Sequence, residues 1–515
     1  MVWMGLGAAL VAILPLIGVV ATALGDGQAD IALSDLSRYA LTSVALSAQV
    51  AVLTAVLGVT AAWLVVGHDF PGRRWLSWAL ALPLAAPAFA LAYGYADLFD
   101  AAGDLRIWMR GTLGVDMPFE MRSLGGAGLI LSLAFYPYVY LAMRAALLNQ
   151  SSQAIEAARM LGASPARAFF QVALPMARPA LAAGVALAVM ETLADYGAVQ
   201  FLGVQTLTTG VVRAWFVFGS VEAAARIALP LLAFAAVLMW IERMGRSGAD
   251  HDSGRGRWRP LTLQPLPPVK AALATGFCLM LVGLGLVLPL GWMAHTMIDI
   301  TPEWPRLIAA ARHSVGLAVI AALVTVALAA LLALGSTRHP LAARIASLGY
   351  ATPGAVMAIG LLIPAAVLWR LVPGSVGGFG MGIALLIYAY AARLMAAAFE
   401  PIEAGLTRVT PSVVQASRML GRSETGTAWA IQLPLARGAL FTAALVVFVD
   451  VMKELPATLM LRPFNVDTLA VMADNYARDE RLANAGWPTL LLVLLALPAV
   501  LWLTRKISTS RPGEP

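Results

Sequence analysis

Charge is what this sequence has least of. Only 12% of its 515 residues are Asp, Glu, Lys or Arg, about half the share usual in a soluble domain. A chain this long with so few charges cannot clothe a water-facing globule, so much of it must face lipid. Cysteine is nearly absent as well. Cys278 stands alone in an apolar run, which excludes an internal disulfide. No G-x-x-x-x-G-K-[S/T] stretch occurs, so there is no recognisable P-loop to cradle nucleotide phosphates. No polar segment is long enough to hold a nucleotide-binding domain. The five histidines form no metal-ligand cluster. His68 and His339 fall in loops and His251 in a polar stretch, where they read as solvated. No nucleophile–base pair or metal cluster supports an enzyme. A basic signal-peptide n-region is also missing, and the run 2–24 is longer than a signal h-region, so it reads as a first membrane helix.

What is abundant is apolar. Hydrophobic residues make up 60% of the chain, and the mean hydropathy is +0.80. Runs long enough to span a bilayer recur at 2–24, 41–66, 75–98, 125–148, 176–201 and 221–241. A polar, basic stretch containing SGADHDSGRGRWRP follows, which cannot bury in lipid and reads as a linker. Six more runs lie at 269–295, 314–334, 345–372, 379–399, 435–461 and 487–503. The expectation is an all-α polytopic membrane protein of about twelve transmembrane helices: a first unit at 1–242, a linker at 243–268 and a second unit at 269–515.

The formal net charge of +7 raises nucleic acid as a partner, but the basic residues are dispersed among short loops, which reads as membrane topology instead. Arg73, Arg74, Arg159, Arg167, Arg178 and Arg243 fall on one side with the linker. Arg338, Arg344, Arg408, Arg418, Arg422 and Arg437 take the equivalent places later, and Arg505 and Lys506 close the chain. That side is expected to be the cytoplasm, with both termini on it. The opposite loops carry acids: Asp26, Asp30, Asp35, Asp467, Asp474, Asp479 and Glu480.

An internal repeat organises the whole chain. EAARMLGASPARAFFQVALPMARPAL starts at Glu156, and QASRMLGRSETGTAWAIQLPLARGAL starts at Gln415, an offset of 415 − 156 = 259. PAFALAYG from Pro87 mirrors PGAVMAIG from Pro353, and VQTL from Val204 mirrors VDTL from Val466. Each unit holds an even number of spans, so the two share one orientation about a pseudo-twofold axis along the membrane normal.

The repeated segment is too polar to cross lipid and too well patterned for a random loop. A helix ends at Gly162, which suits a left-handed C′ position. Ser164-Pro165 reads as an N-cap with Pro at N1, and Pro175 marks where the next span begins. In the second copy Thr410-Pro411 starts the helix, Gly421 ends it, Ser423 restarts it and Pro434 closes it. A stiff helix-turn-helix at the membrane face can transmit a push from a partner, as a floppy loop cannot.

This segment resembles the "EAA" loop of ABC-importer permeases: Glu-Ala-Ala, three residues, Gly, nine residues, an aliphatic residue, any residue, then Leu-Pro. Glu156, Ala157, Ala158, Gly162, Val172, Leu174 and Pro175 fit it. Gln415, Ala416, Gly421, Ile431, Leu433 and Pro434 fit in the second copy, which departs with Gln415 for Glu and Ser417 for Ala. The resemblance implies a type I ABC-importer permease fold in a bacterial inner membrane. It also implies docking of these loops on two separate ABC ATPase subunits, which hold the ATP and magnesium, and cargo delivery by a periplasmic substrate-binding protein. This chain itself then holds no cofactor and no fixed metal. The fused layout, ETLADYGAVQFLGVQTLTTG from Glu191 and DVMKELPATLMLRPFNVDTLA from Asp450 look most like ferric-iron importer permeases. Thiamine permeases share the layout and are the alternative. A proton-driven secondary transporter would have no mechanical use for the loop.

Ionisable groups inside a span are candidates for function. Glu191 and Asp195, beside Tyr196, match Asp450 and Glu454 at the 259-residue offset, with Lys453 between the second pair. The i,i+4 spacing sets each acid pair on one helix face. A helix starting at Met176 carries Asp195 about 28 Å along, near the periplasmic mouth. In one reading Glu191, Asp195, Tyr196, Asp450 and Glu454 line a cation path. In the other, Lys453 neutralises an acid and the rest bond to backbone at broken helix ends. Tyr136, Tyr138, Tyr140, Tyr388 and Tyr390 offer hard oxygen donors, though packing is their plainer role.

Overall fold

The computed structural model describes residues 2–25, 33–100, 103–116, 120–150, 152–246, 263–336, 349, 352–371 and 375–509. Asp26, Asp30, Arg338, His339, Arg344 and linker residues 247–262, with His251, lie outside the described residues. Helix dominates the rest, as lipid demands: without water, each backbone N–H and C=O must be satisfied within its own segment. Among the described residues, eight helices are long and apolar enough to cross a membrane, or up to eleven if each sharply bent pair counts as one span. Val2–Ala23, Leu33–Gly67 and Leu124–Asn149 belong to the first unit, and Trp304–Ser336, Ser375–Leu406 and Leu482–Thr509 to the second. Leu124–Asn149 has 78% of its most apolar window buried, against 33% for Pro268–Thr296, so the former is central and the latter faces outward.

Three of the apolar runs are broken, two of them at the acids, where one of the two readings set broken helix ends. The 75–98 run divides into Arg73–Ala85 and Ala88–Leu113, bent by 90°. Pro87 bars helical geometry in the residue before it, and Ala86 is extended with ψ 131°. The 176–201 run leaves the helix at Asp195 (ψ 133°) and resumes at Gly197–Phe201. The 435–461 run stops at Met452 and resumes at Pro456–Leu461.

Two further expectations change. Asp35 and Asp474 lie in helices, not loops, and Asp474 is buried. His68 is half-buried, not solvated. Its ring meets Trp63 edge-on at 5.6 Å, and burial holds its pKa below the ordinary value. A two-residue parallel bridge joins His68–Asp69 to Gln264–Pro265. It ties the end of the linker to the loop after Leu33–Gly67.

The two units interlock through their first helices. Val2–Ala23 packs against Gly354–Leu371 and Trp304–Ser336 of the second unit, while Leu288–Thr296 packs against Ala88–Phe99 of the first. Each crossing has a glycine against a proline carbonyl. A Cβ on Gly94 would stand 2.6 Å from the Pro289 carbonyl oxygen, and one on Gly360 would overlap the Pro15 carbonyl. Backbones approach this closely only where the side chain is absent. Gly94→Val and Gly360→Val should therefore each destabilise the protein by about 1–3 kcal/mol. Gly7→Ala, with nothing within 4 Å of the added carbon, should be silent. Thermal melting of detergent-purified variants checks this, and a Gly360→Val protein melting like wild type would contradict the crossing.

Candidate functional site

Two elbows, at 152–176 and 411–435, project where the sequence repeats. In the first, Ser152–Met160 ends at Gly162, whose φ is 87°. The Ala163 N–H reaches back to the Ala158 carbonyl at 3.0 Å and the Gly162 N–H to the Arg159 carbonyl at 3.0 Å, satisfying carbonyls at the helix end. Ser164 then caps the next helix by accepting from the Arg167 N–H, with Pro165 at N1. In the second, Pro411–Met419 leads to Gly421 with φ 83°, and Ser423 accepts from the Gly426 N–H.

A π-helical turn follows in each, Phe169–Ala173 and Ala428–Gln432, again offset by 428 − 169 = 259. Pro175 and Pro434 sit in the last short turns, Leu174–Met176 and Leu433–Leu435. The chain then bends by 72° and 73° into Arg178–Ala194 and Arg437–Met452.

Ala157, Gln415 and Ala416 are exposed on the elbow helices, and Glu156 and Ala158 are half-buried. The departure at Ser417 has a local use: its hydroxyl is buried against Thr427 Oγ1 at 3.0 Å. Arg418 also pairs with Glu424 at 2.5 Å across the second turn. Sequence reasoning missed the residues at the elbow tips. Met160 and Leu161 are 83% and 89% exposed, and Met419 and Leu420 are 90% and 84% exposed. Large apolar side chains held this far out at equivalent places in two elbows have no role in the core. Their signal in sequence was an apolar pair directly before a helix-ending glycine, in an otherwise polar segment.

Arg178–Ala194 and Arg437–Met452 run about 25 Å from the elbows to the breaks. There the acidic residues converge. Asp195 Oδ2 accepts from the Val199 N–H at 3.0 Å. Glu454, buried, accepts from the Ala457 and Thr458 N–H groups at 3.0 Å each, from Thr458 Oγ1 at 2.8 Å and from Arg393 at 3.5 Å. Asp450 pairs with Lys453 at 3.2 Å. Glu191 makes no hydrogen bond or ion pair among the described residues.

Glu191, Asp195, Tyr196, Asp450 and Glu454 all line one cavity of about 80 Å³ together with Arg393 and Lys453. Arg393 was overlooked in the sequence, although an arginine within an apolar run was its signal. Four carboxylates face two cations there, a formal balance of 4 − 2 = 2 negative charges.

Among the five tyrosines, Tyr138 also lines this cavity. Tyr140, Tyr388 and Tyr390 bond to Ser77 O, Val11 O and Thr458 Oγ1, and the buried Tyr136 hydroxyl has no hydrogen-bond partner among the described residues. No group of three His, Cys, Asp or Glu side chains fit to hold a metal occurs among the described residues.

Comparison with known proteins fits this arrangement. Residues 54–246 match the family described as "binding-protein-dependent transport system inner membrane component". The chain is 24% identical over 451 residues to the Fe(3+)-transport system permease protein FbpB 2 of Haemophilus influenzae, covering 85% of this chain and 84% of the relative. It is 30% identical over 220 residues to the sulfate transport system permease protein CysT of Escherichia coli, covering 40% of this chain and 77% of that one. It is 27% identical over 219 residues to the molybdenum transport system permease protein ModB of Escherichia coli, covering 41% and 94%. With its many apolar spans and broken central helices, the chain belongs to the binding-protein-dependent transport system inner membrane components.

Proposed function

We propose that this chain is the permease of an ATP-driven importer and passes ferric iron delivered by a periplasmic binding protein. Its elbows then lie in the cytoplasm, with both termini, and each receives one ATPase subunit. ATP and magnesium are held by that partner. The observation that carries this reading is the pair of exposed apolar tips, Met160–Leu161 and Met419–Leu420. An apolar knob on a stiff projection needs a pocket to enter, and a proton-driven carrier has none to offer it.

The mechanism follows from stiffness. Closure of two ATPase subunits on ATP draws the elbows together. Each elbow bends just after Met176 or Leu435 and continues into a helix about 25 Å long, so movement at the tip reaches the breaks at Asp195 and Lys453. Asp195 and Glu454 satisfy the helix starts beyond those breaks, so the short helices there stay intact and move with the long helices as these rock.

The cargo assignment draws on the four carboxyl groups that line the cavity against two basic side chains. A cation is favoured there over the oxyanions named for the sulfate and molybdenum relatives, because Arg393 and Lys453 already face Glu454 and Asp450. Glu191 is the carboxylate left to meet a passing cation, and weak holding suits a path that must release its cargo. Thiamine, an organic cation, is the competing cargo.

Two measurements test this. Burying a Leu or Met side chain contributes about 1.5–3 kcal/mol. Serine at Met160, Leu161, Met419 and Leu420 together should therefore weaken ATPase binding at least about a hundredfold, with normal membrane abundance. Co-purification that survives the fourfold change would contradict the docking reading. Glu191→Gln should cut ferric uptake by at least about tenfold at normal abundance, whereas Asp195→Asn, which weakens a cap, should mainly lower abundance. Iron uptake untouched by Glu191→Gln, with thiamine transported instead, would overturn the cargo assignment.

A further inference from the structure

Away from the elbows, at the far end of Arg178–Ala194, four polar side chains join the two units. Arg478 Nε donates to Asp474 Oδ2 at 2.7 Å, and Arg478 Nη2 donates to Tyr196 Oη at 2.6 Å. Tyr93 Oη donates to Asp474 Oδ1 at 3.3 Å. The Arg478 guanidinium also lies over the Tyr196 ring, 5.5 Å from its centroid. Asp474 and Arg478 share one face of Leu469–Arg478 by their i,i+4 spacing. Tyr93 and Tyr196 come from the first unit, 381 and 282 residues away in the chain.

The network is one-sided. The Val204/Val466 repeat has an offset of 466 − 204 = 262, which sets Val212 and Phe216 where Asp474 and Arg478 stand. The offset of 259 sets Leu455 opposite Tyr196, and the 353 − 87 = 266 offset sets Ile359 opposite Tyr93. The fold thus accepts apolar residues at the symmetric positions. The Asp474 side chain is 4% exposed and that of Arg478 45% exposed, so a buried carboxylate is met by a guanidinium that reaches the surface. Removing Arg478 would leave that carboxylate buried without its counter-charge, which is costly. A contact of this kind holds firmly while complete and lets go as a unit when its geometry is pulled apart.

We propose that Tyr93, Tyr196, Asp474 and Arg478 form a latch between the two units that must open for cargo to enter the cavity. Tyr196 is shared: it lines the cavity and accepts from Arg478. It also directly follows Asp195, at the end of the rigid helix that begins at the first elbow bend. Displacement of that elbow therefore carries Tyr196 away from Arg478. The latch couples occupancy of the ATPase to access at the other end of the molecule, and it rests on the importer reading above.

The test uses the full chain with its ATPase in lipid nanodiscs, with and without the iron-loaded binding protein. The wild-type complex should hydrolyse ATP slowly alone and faster with the binding protein. Asp474→Asn and Tyr196→Phe should each raise the unstimulated rate at least threefold and shrink the stimulation. Tyr196→Phe keeps the ring and loses only the acceptor, so it decides the matter if Asp474→Asn does not assemble. A stimulated wild type alongside a Tyr196→Phe complex with wild-type rates overturns the latch alone. A wild-type complex that the binding protein does not stimulate overturns the importer reading, and the latch with it.

Discussion

A polypeptide in lipid has no water to satisfy its backbone, and every interruption of a helix must be repaired from within. The centre of this protein follows from that constraint. The helices ending at Ala194 and Met452 break inside the membrane-spanning core, and the freed N–H groups beyond each break are met by a carboxylate. Asp195 serves Val199, and Glu454 serves Ala457 and Thr458. The same carboxylates give the cavity its negative balance. In the proposed importer, the placement that repairs the backbone also sets carboxylates where a cation would pass, and the two roles divide among the acids. Asp195 and Glu454 cap helix starts, Asp450 pairs with Lys453, and Glu191 lines the cavity with no hydrogen bond or ion pair among the described residues.

The elbows answer a different requirement, which is to stay rigid outside the membrane. Their stiffness comes from glycine-terminated helix ends with paired carbonyls, serine caps and π turns that recur at one offset. Rigidity keeps the apolar tips exposed rather than collapsed onto the protein's own surface, as the proposed docking requires. The interlocked first helices supply the opposing constraint. With Gly94 against Pro289 and Gly360 against Pro15, the two units cannot drift apart, so force at the elbows is resolved as rotation about this shared crossing.

Much of this was legible in the letters because it is local. Gly162 and Gly421 announce left-handed turns, Ser164 and Ser423 announce caps, and hydropathy announces the long spans. The breaks were not legible in the same way. Asp195 and Glu454 read equally well as charges on a continuous helix face, since nothing in ETLADYG distinguishes a cap from a helical residue. Met160 and Leu161 read as ordinary apolar helix residues, because exposure depends on what else comes near. The Arg478–Tyr196 bond spans 282 residues, and the pairing of Pro15 with Gly360 spans 360 − 15 = 345. Contacts of that range leave no pattern in any short window.

Reconstitution gives the most direct test of the central claim. The chain, assembled with its ATPase in liposomes, is supplied with iron-loaded binding protein on one face and ATP on the other, and radioactive iron is counted inside. The account predicts uptake that needs both ATP and the binding protein and that a proton gradient alone does not drive. Uptake by the chain without an ATPase, driven by a proton gradient, would contradict it.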